Sequence, residues 1–161
     1  KVNKNLQRMI QLAEDVFAVR NDPNQLDVDE AVLKRLQKIH PSTVSEYDDG
    51  NGPVAWILLI PTTSELMQLF LKNEISEKEL FNLTPLNVKY DALYLCSALV
   101  LEEYRKKGIA GTLTLKAIEN IRHDHPIKSL FVWAHTKEGD IGAKAIARET
   151  SLPLYHKEKT V

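Results

Sequence analysis

Ala92-Leu-Tyr-Leu-Cys-Ser-Ala-Leu-Val-Leu101, then Glu102-Glu103-Tyr104, then Arg105-Lys106-Lys107-Gly108-Ile109-Ala110 follow one another without interruption in this chain. The first piece has the apolar, β-prone character of a buried strand. From Ile109 onward, Ile109, Ala110, Leu113, Ala117, Ile118 and Ile121 recur at helical spacing. The stretch therefore predicts a strand that passes through a basic turn into a long helix. The first N–H groups of a helix lack intrahelical acceptors and lie at the positive end of its peptide dipoles, so they favour an anion. Gly108, at the junction of turn and helix, has no Cβ to keep that anion at a distance.

This turn resembles the hallmark of the GNAT-type N-acetyltransferase superfamily, Arg/Gln-x-x-Gly-x-Gly/Ala between a central strand and a long helix. Here it reads Arg105-Lys106-Lys107-Gly108-Ile109-Ala110, preceded by the acidic-Tyr pair Glu103-Tyr104 and followed, beyond the helix, by a second apolar strand at 129–134. The resemblance implies that Arg105, Lys106, Lys107, Gly108, Ile109 and Ala110 hold the pyrophosphate of acetyl-CoA, the co-substrate. It also implies that Leu99, Val100 and Leu101 pair with the pantetheine arm, with an N–H near Leu99 polarising the thioester carbonyl. As a bare hexapeptide the pattern also fits an ordinary strand-to-helix turn with solvated charges. Neither Gly-x-x-x-x-Gly-Lys-Ser/Thr nor Gly-x-Gly-x-x-Gly occurs, which argues against a P-loop nucleotide site and a dinucleotide fold.

Composition agrees with one folded unit. At 161 residues and 43% hydrophobic content, the chain can bury a single sizeable core. Lys plus Arg number 21 against 22 Asp plus Glu, a net charge of −1, which offers no support for nucleic-acid or membrane-surface binding. The only cysteine, Cys96, lies in the apolar strand and reads as a reduced core residue. The longest apolar run, 54–60, is far too short to span a bilayer, and no signal-peptide pattern opens the sequence; a cytoplasmic location is the expectation.

Along the chain, Leu6, Met9, Ile10, Ala13, Val16 and Phe17 share one helical face, with Asn21-Asp22-Pro23-Asn24 as the stop. A second helix is expected from Asp27, with Glu30 as capping-box partner, up to His40-Pro41. Residues 43–47 and 54–60 read as antiparallel strands joined by a glycine-rich turn. Thr62-x-x-Glu65 and Ser76-x-x-Glu79 each predict a short helix. Beyond the central strand and helix come a strand over 127–135, a helix over 140–150 and a closing strand at 154–156. This is an α/β (α+β) pattern. By resemblance it is a GNAT-like mixed, mostly antiparallel central sheet flanked by helices. One domain over 1–161 is expected, with N-terminal helices in 1–41 and the sheet and acetyl-CoA-binding core in 43–161.

The activity implied by the resemblance is transfer of an acetyl group from acetyl-CoA to a primary amine of a small molecule or protein. The alternative is a catalytically weak acyl-CoA-binding sensor or interaction domain. Transfer needs a polarised carbonyl, a neutral amine and a proton for the departing thiolate. In the resembled family the helix after the second apolar strand begins with an Asn near the cofactor and carries a Tyr seven residues later. On that pattern Asp140 takes the Asn position, where it also reads as an N-cap, and Ala147 takes the Tyr position, leaving Tyr155 as a substitute acid. Tyr94, acting through water, and His135, whose ordinary pKa suits a base, are the candidate bases. Each also reads as a packed or solvated residue. Glu102 and Glu103 read as solvated turn residues. No metal is assigned, a homodimer is compatible with the pattern, and the acceptor is not legible.

Overall fold

The computed structural model describes residues 4–20 and 22–158. Helices α1 (Lys4–Arg20) and α2 (Glu30–Ile39) precede a hairpin, β1 (Val44–Asp48) and β2 (Pro53–Thr62), and two short helices, α3 (Ser64–Leu71) and α4 (Glu77–Leu83). Then follow β3 (Ala92–Val100), α5 (Ile109–Asp124), β4 (Ser129–Val132), α6 (Lys137–Thr150) and β5 (Leu154–His156). The predicted order of elements is the observed one. Asn21, read as part of the stop after α1, lies outside the described residues.

The strands lie in sequence order, β1-β2-β3-β4-β5. β1–β2 and β2–β3 are antiparallel, while β3–β4 and β4–β5 are parallel. The antiparallel ladders are the long ones, so most of the pairing is antiparallel although the four pairings divide evenly. β2 is buried along almost its whole length, which requires cover on both faces of the sheet. Helices α5 and α6, each joining two parallel strands, lie together on one face; α1 and α3 meet β2 and β3 from the other. One large apolar cluster joins both layers, and a small one, Met9, Val54 and Leu101 with Leu99 and Trp56 beside them, seats α1.

Local chemistry moves several element ends. Asp29, not Asp27, caps α2, accepting the Val32 N–H at 2.9 Å. Thr63, not Thr62, caps α3, because Thr62 is still paired with Ala92 and bonds the Thr84 hydroxyl in the core at 2.8 Å. The Ser76–Glu79 capping box forms as expected. The strand expected over 127–135 is paired only from Ser129 to Val132, for a reason that lies in β3.

Candidate active site

β3 and β4 pair from Ala92↔Ser129 to Leu95↔Val132, and then part: β3 runs on to Val100 while β4 stops. At that point β3 carries a bulge. Leu58 of β2 faces Ser97 and Leu59 faces Leu95, so Cys96 is the extra residue. A bulge bends its strand and sharpens the twist, which carries the end of β3 away from β4 and opens a wedge. Leu101 N–H bonds Val54 O at 2.9 Å. Because backbone groups alternate along a strand, Leu99 also turns its N–H towards β2, and Ala98 and Val100 present theirs to the wedge. Of Leu99, Val100 and Leu101, expected to pair with pantetheine, only Val100 therefore turns its backbone N–H to the opening, with Ala98 beside it. The Val100 carbonyl already accepts the Arg105 Nε–H at 2.9 Å.

The wedge leads to the start of α5. Gly108 is its N-cap at φ +78°, and no side chain caps the helix. By contrast α2, α3, α4 and α6 are capped by Asp29, Thr63, Ser76 and Thr136. A Cβ on Gly108 would meet no protein atom within 4 Å, so the glycine serves the left-handed backbone and an open approach from outside. Lys106 is also left-handed, at φ 62°; two such residues in one turn aim successive N–H groups into a concavity suited to an anion. Lys106 and Lys107 are exposed, and Ile109 and Ala110 form the first helical residues. The preceding turn is anchored rather than free. Arg8 grips Glu103 through both guanidinium nitrogens at 2.6 Å, which holds the Glu103 carboxyl down at about 2. Tyr104 donates its hydroxyl to Asp49. Glu103 is thus an exposed turn residue, as expected, that also holds an ion pair with Arg8.

On the α3 face, where the wedge opens, the structure reveals an acid that sequence reading missed. Glu77, in the first turn of α4, is 3% exposed. One oxygen accepts the Tyr94 hydroxyl at 2.6 Å and lies 3.8 Å from Cys96 Sγ; the other accepts the Leu26 N–H. Burial raises the Glu77 pKa, against the opposing hydrogen bonds of Tyr94 and Leu26 and the charge of Arg20. Burial, then the Glu77 charge, pushes Tyr94 and the Cys96 thiol well up. Tyr94 is 1% exposed and packs on Phe70 and Phe131. The one hint in the sequence was an acidic residue directly after the Ser76 cap, which ordinary helix chemistry also explains.

His135 lies three residues beyond the end of β4, its ring 4.4 Å from that of Trp133. Desolvation, then the nearby Arg20 charge, lowers its pKa, so it is neutral at neutral pH. Two other expected site residues stand elsewhere. Asp140 is not the N-cap of α6: Thr136 is, accepting the Gly139 N–H at 3.0 Å. One turn into the helix, Asp140 pairs with Lys144 at 3.0 Å and with His156 of β5 at 2.8 Å. It lines an open cleft of about 760 Å³ on the β5 side of β4, with Trp133, Thr136 and Lys157. Tyr155 sits on the outermost strand beside Phe131, 43% exposed, on the far side of β4 from β3.

No protein-family model and no curated protein matches this sequence. Solved structures do. The chain is similar to GphF, a GNAT-like decarboxylase in complex with isobutyryl-CoA, at 15% identity and TM-score 0.54, over 94% of this chain and 70% of that one. It is similar to the aminoglycoside acetyltransferase meta-AAC0020, from an uncultured soil metagenomic sample and in complex with trehalose, at 19% identity and TM-score 0.50, over 100% of this chain and 89% of that one. It also aligns with Naa20 of Chaetomium thermophilum, in complex with a bisubstrate analogue, at 16% identity and TM-score 0.49, over 94% of this chain and 66%, just under two thirds, of that one. At such identities it is the fold alone that is shared, and the fold of this chain is GNAT-like.

Proposed function

We propose that this chain transfers an acetyl group from acetyl-CoA to a primary amine. The observation that carries the reading is the wedge between β3 and β4 opening towards the one α-helix start, among the described α-helices from α2 onward, that no side chain caps. In this reading the N–H groups following Gly108 hold the pyrophosphate, and Lys106 and Lys107 add positive charge around it. Ala98 and Val100 offer backbone pairing to an extended arm, and an N–H of this open edge polarises the thioester carbonyl. Glu77, whose burial favours proton uptake, and neutral His135 are the groups able to take a proton from the attacking amine.

Calorimetric titration with acetyl-CoA, with desulfo-CoA and ATP as controls, tests the reading. Saturable binding of both CoA ligands and none of ATP, followed by turnover with an amine panel, is expected; absence of CoA binding to the folded chain overturns it. One observation favours binding without efficient transfer: α6, Lys137–Thr150, contains no tyrosine, so neither its observed start nor the register that placed Ala147 supplies the usual acid. CoA binding with no turnover on any amine would select that reading.

A further inference from the structure

The free edge of β3 is partly occupied by a side chain of the chain itself. The N–H and C=O of one strand residue point the same way, so Ala98 and Val100 each turn both groups to the wedge. One of these groups is already taken: the Val100 carbonyl accepts the Arg105 Nε–H at 2.9 Å. The backbone that carries Arg105 is held in place, its N–H bonding Glu102 O at 3.2 Å and the Tyr104 N–H bonding Leu101 O at 2.9 Å. The Arg105 side chain, by contrast, is exposed. It borders a cavity of about 310 Å³ together with Asp15 of α1 and Glu102, yet among the described residues its guanidinium forms no ion pair with either. Two nearby acids are engaged elsewhere, Glu103 by Arg8 and Asp49 by Tyr104. Arg105 thus has one nitrogen latched to the strand edge and the rest of its fork without an ion-pair partner among the described residues, in the turn that leads to Gly108.

We propose that Arg105 is a specificity-determining latch that admits thioesters of CoA and disfavours pantetheine thioesters lacking a diphosphate; this rests on the acyl-CoA reading of the wedge. An extended arm pairs with a strand edge through the groups that a further strand would use. To bring its own N–H to the Val100 carbonyl, the arm has to displace the Arg105 Nε–H. For pantetheine alone that exchange gains little, because a neutral hydrogen bond replaces a charge-assisted one and the guanidinium is left to water. A diphosphate at the start of α5 changes the balance. The released guanidinium belongs to the same turn, and phosphate oxygens match its planar fork. The two halves of the ligand are therefore coupled through one side chain. The diphosphate draws Arg105 off the strand, the vacated carbonyl takes the arm, and each half raises the affinity for the other.

The test titrates the full chain and its Arg105→Met variant with pantetheine and with dephospho-CoA, which adds the diphosphate and adenosine, following the backbone amide resonances of Ala98 and Val100. Arg105 is exposed, so the substitution leaves the core intact. With the latch removed, pantetheine should bind roughly five- to tenfold more tightly, and the preference for dephospho-CoA over pantetheine should fall by roughly tenfold or more. In the parent chain the Arg105 Nε–H resonance, assigned by its absence from the variant, should move on saturation with dephospho-CoA. A fall in preference with pantetheine affinity unchanged would make Arg105 a phosphate ligand and no latch. Pantetheine binding that is unchanged or weaker in the variant, or an Nε–H resonance that stays put at saturation, overturns the inference and leaves the wedge reading standing. Failure of the folded parent to bind dephospho-CoA and CoA removes both.

Discussion

Glu77 concentrates the chemistry of this molecule in one side chain. A carboxylate with 3% exposure is costly to charge, and the hydrogen bonds it accepts from Tyr94, Leu26 and Cys96 do not fully offset burial, since its pKa remains raised. A carboxyl whose folded pKa exceeds its unfolded value adds stability below the unfolded value and loses it as pH rises through the folded value. Glu77→Gln keeps an oxygen for the Leu26 N–H and removes the charge. At and above neutral pH its urea midpoint should therefore rise. If Glu77 is the base, kcat should fall by roughly 10²-fold or more in the same variant, and the acidic limb of the pH-rate profile should disappear. A stabilised protein with an unchanged profile would assign the base to His135 instead. Gly108, Lys106 and Lys107 could be singled out from sequence because a turn is a local object. Glu77 could not, because its significance depends on Tyr94 and Cys96, seventeen and nineteen positions away.

At the scale of elements, the start of α5 is set apart by having no side-chain cap. Left bare, the first N–H groups of a helix forgo the ~1 kcal/mol that a good cap contributes, and four other helices take that contribution from Asp, Thr or Ser. An anionic ligand would supply it on binding. Gly108→Asp puts a carboxylate at the same place, and Asp tolerates the left-handed region better than most residues. The variant should thus stay folded, lose little or no thermal stability and lose acetyl-CoA binding altogether in calorimetry. Retained affinity would show that the turn holds no phosphate. Element identities were legible because hydrophobic period and cap residues are local signals; element ends were not. Thr62 and Thr63 are equally good caps on paper, and only the pairing of Thr62 with Ala92 decides between them. The expected strand over 127–135 loses its last residues because the bulge at Cys96 takes β3 away, which no pattern in residues 127–135 records.

Across the whole molecule the two ends of the sheet serve different purposes. The wedge lies where β3 and β4 diverge, with Glu77 against Tyr94 and Cys96 of β3, while the opposite end is closed by imidazoles that join α2, α5 and the approach to β3. There His40 Nδ1 accepts the Ser42 N–H at 3.0 Å, so its Nε2 donates to Asp124 at 2.7 Å. His125 Nδ1 accepts the Tyr90 N–H at 3.3 Å, and its ring lies 5.8 Å from that of His40. Protonating Nδ1 turns an acceptor into a donor facing another donor, and burial followed by the His40 charge holds the His125 pKa below its ordinary value. A group depressed on folding is protonated more readily in the unfolded chain. Its stability contribution is therefore full above the unfolded value, about 6.5, and is lost as pH falls through the folded one. Glu77 acts with the opposite sign, so the measurement belongs in the Glu77→Gln background. There the thermal midpoint should fall as pH drops from neutrality towards 5, by about 2–4 °C for each kcal/mol lost, and His125→Gln should flatten the slope. An equal slope with and without His125 would place the acid sensitivity elsewhere. Acetyl-CoA affinity of the folded protein should be the same in both chains, since this cluster and the wedge occupy opposite ends of β3.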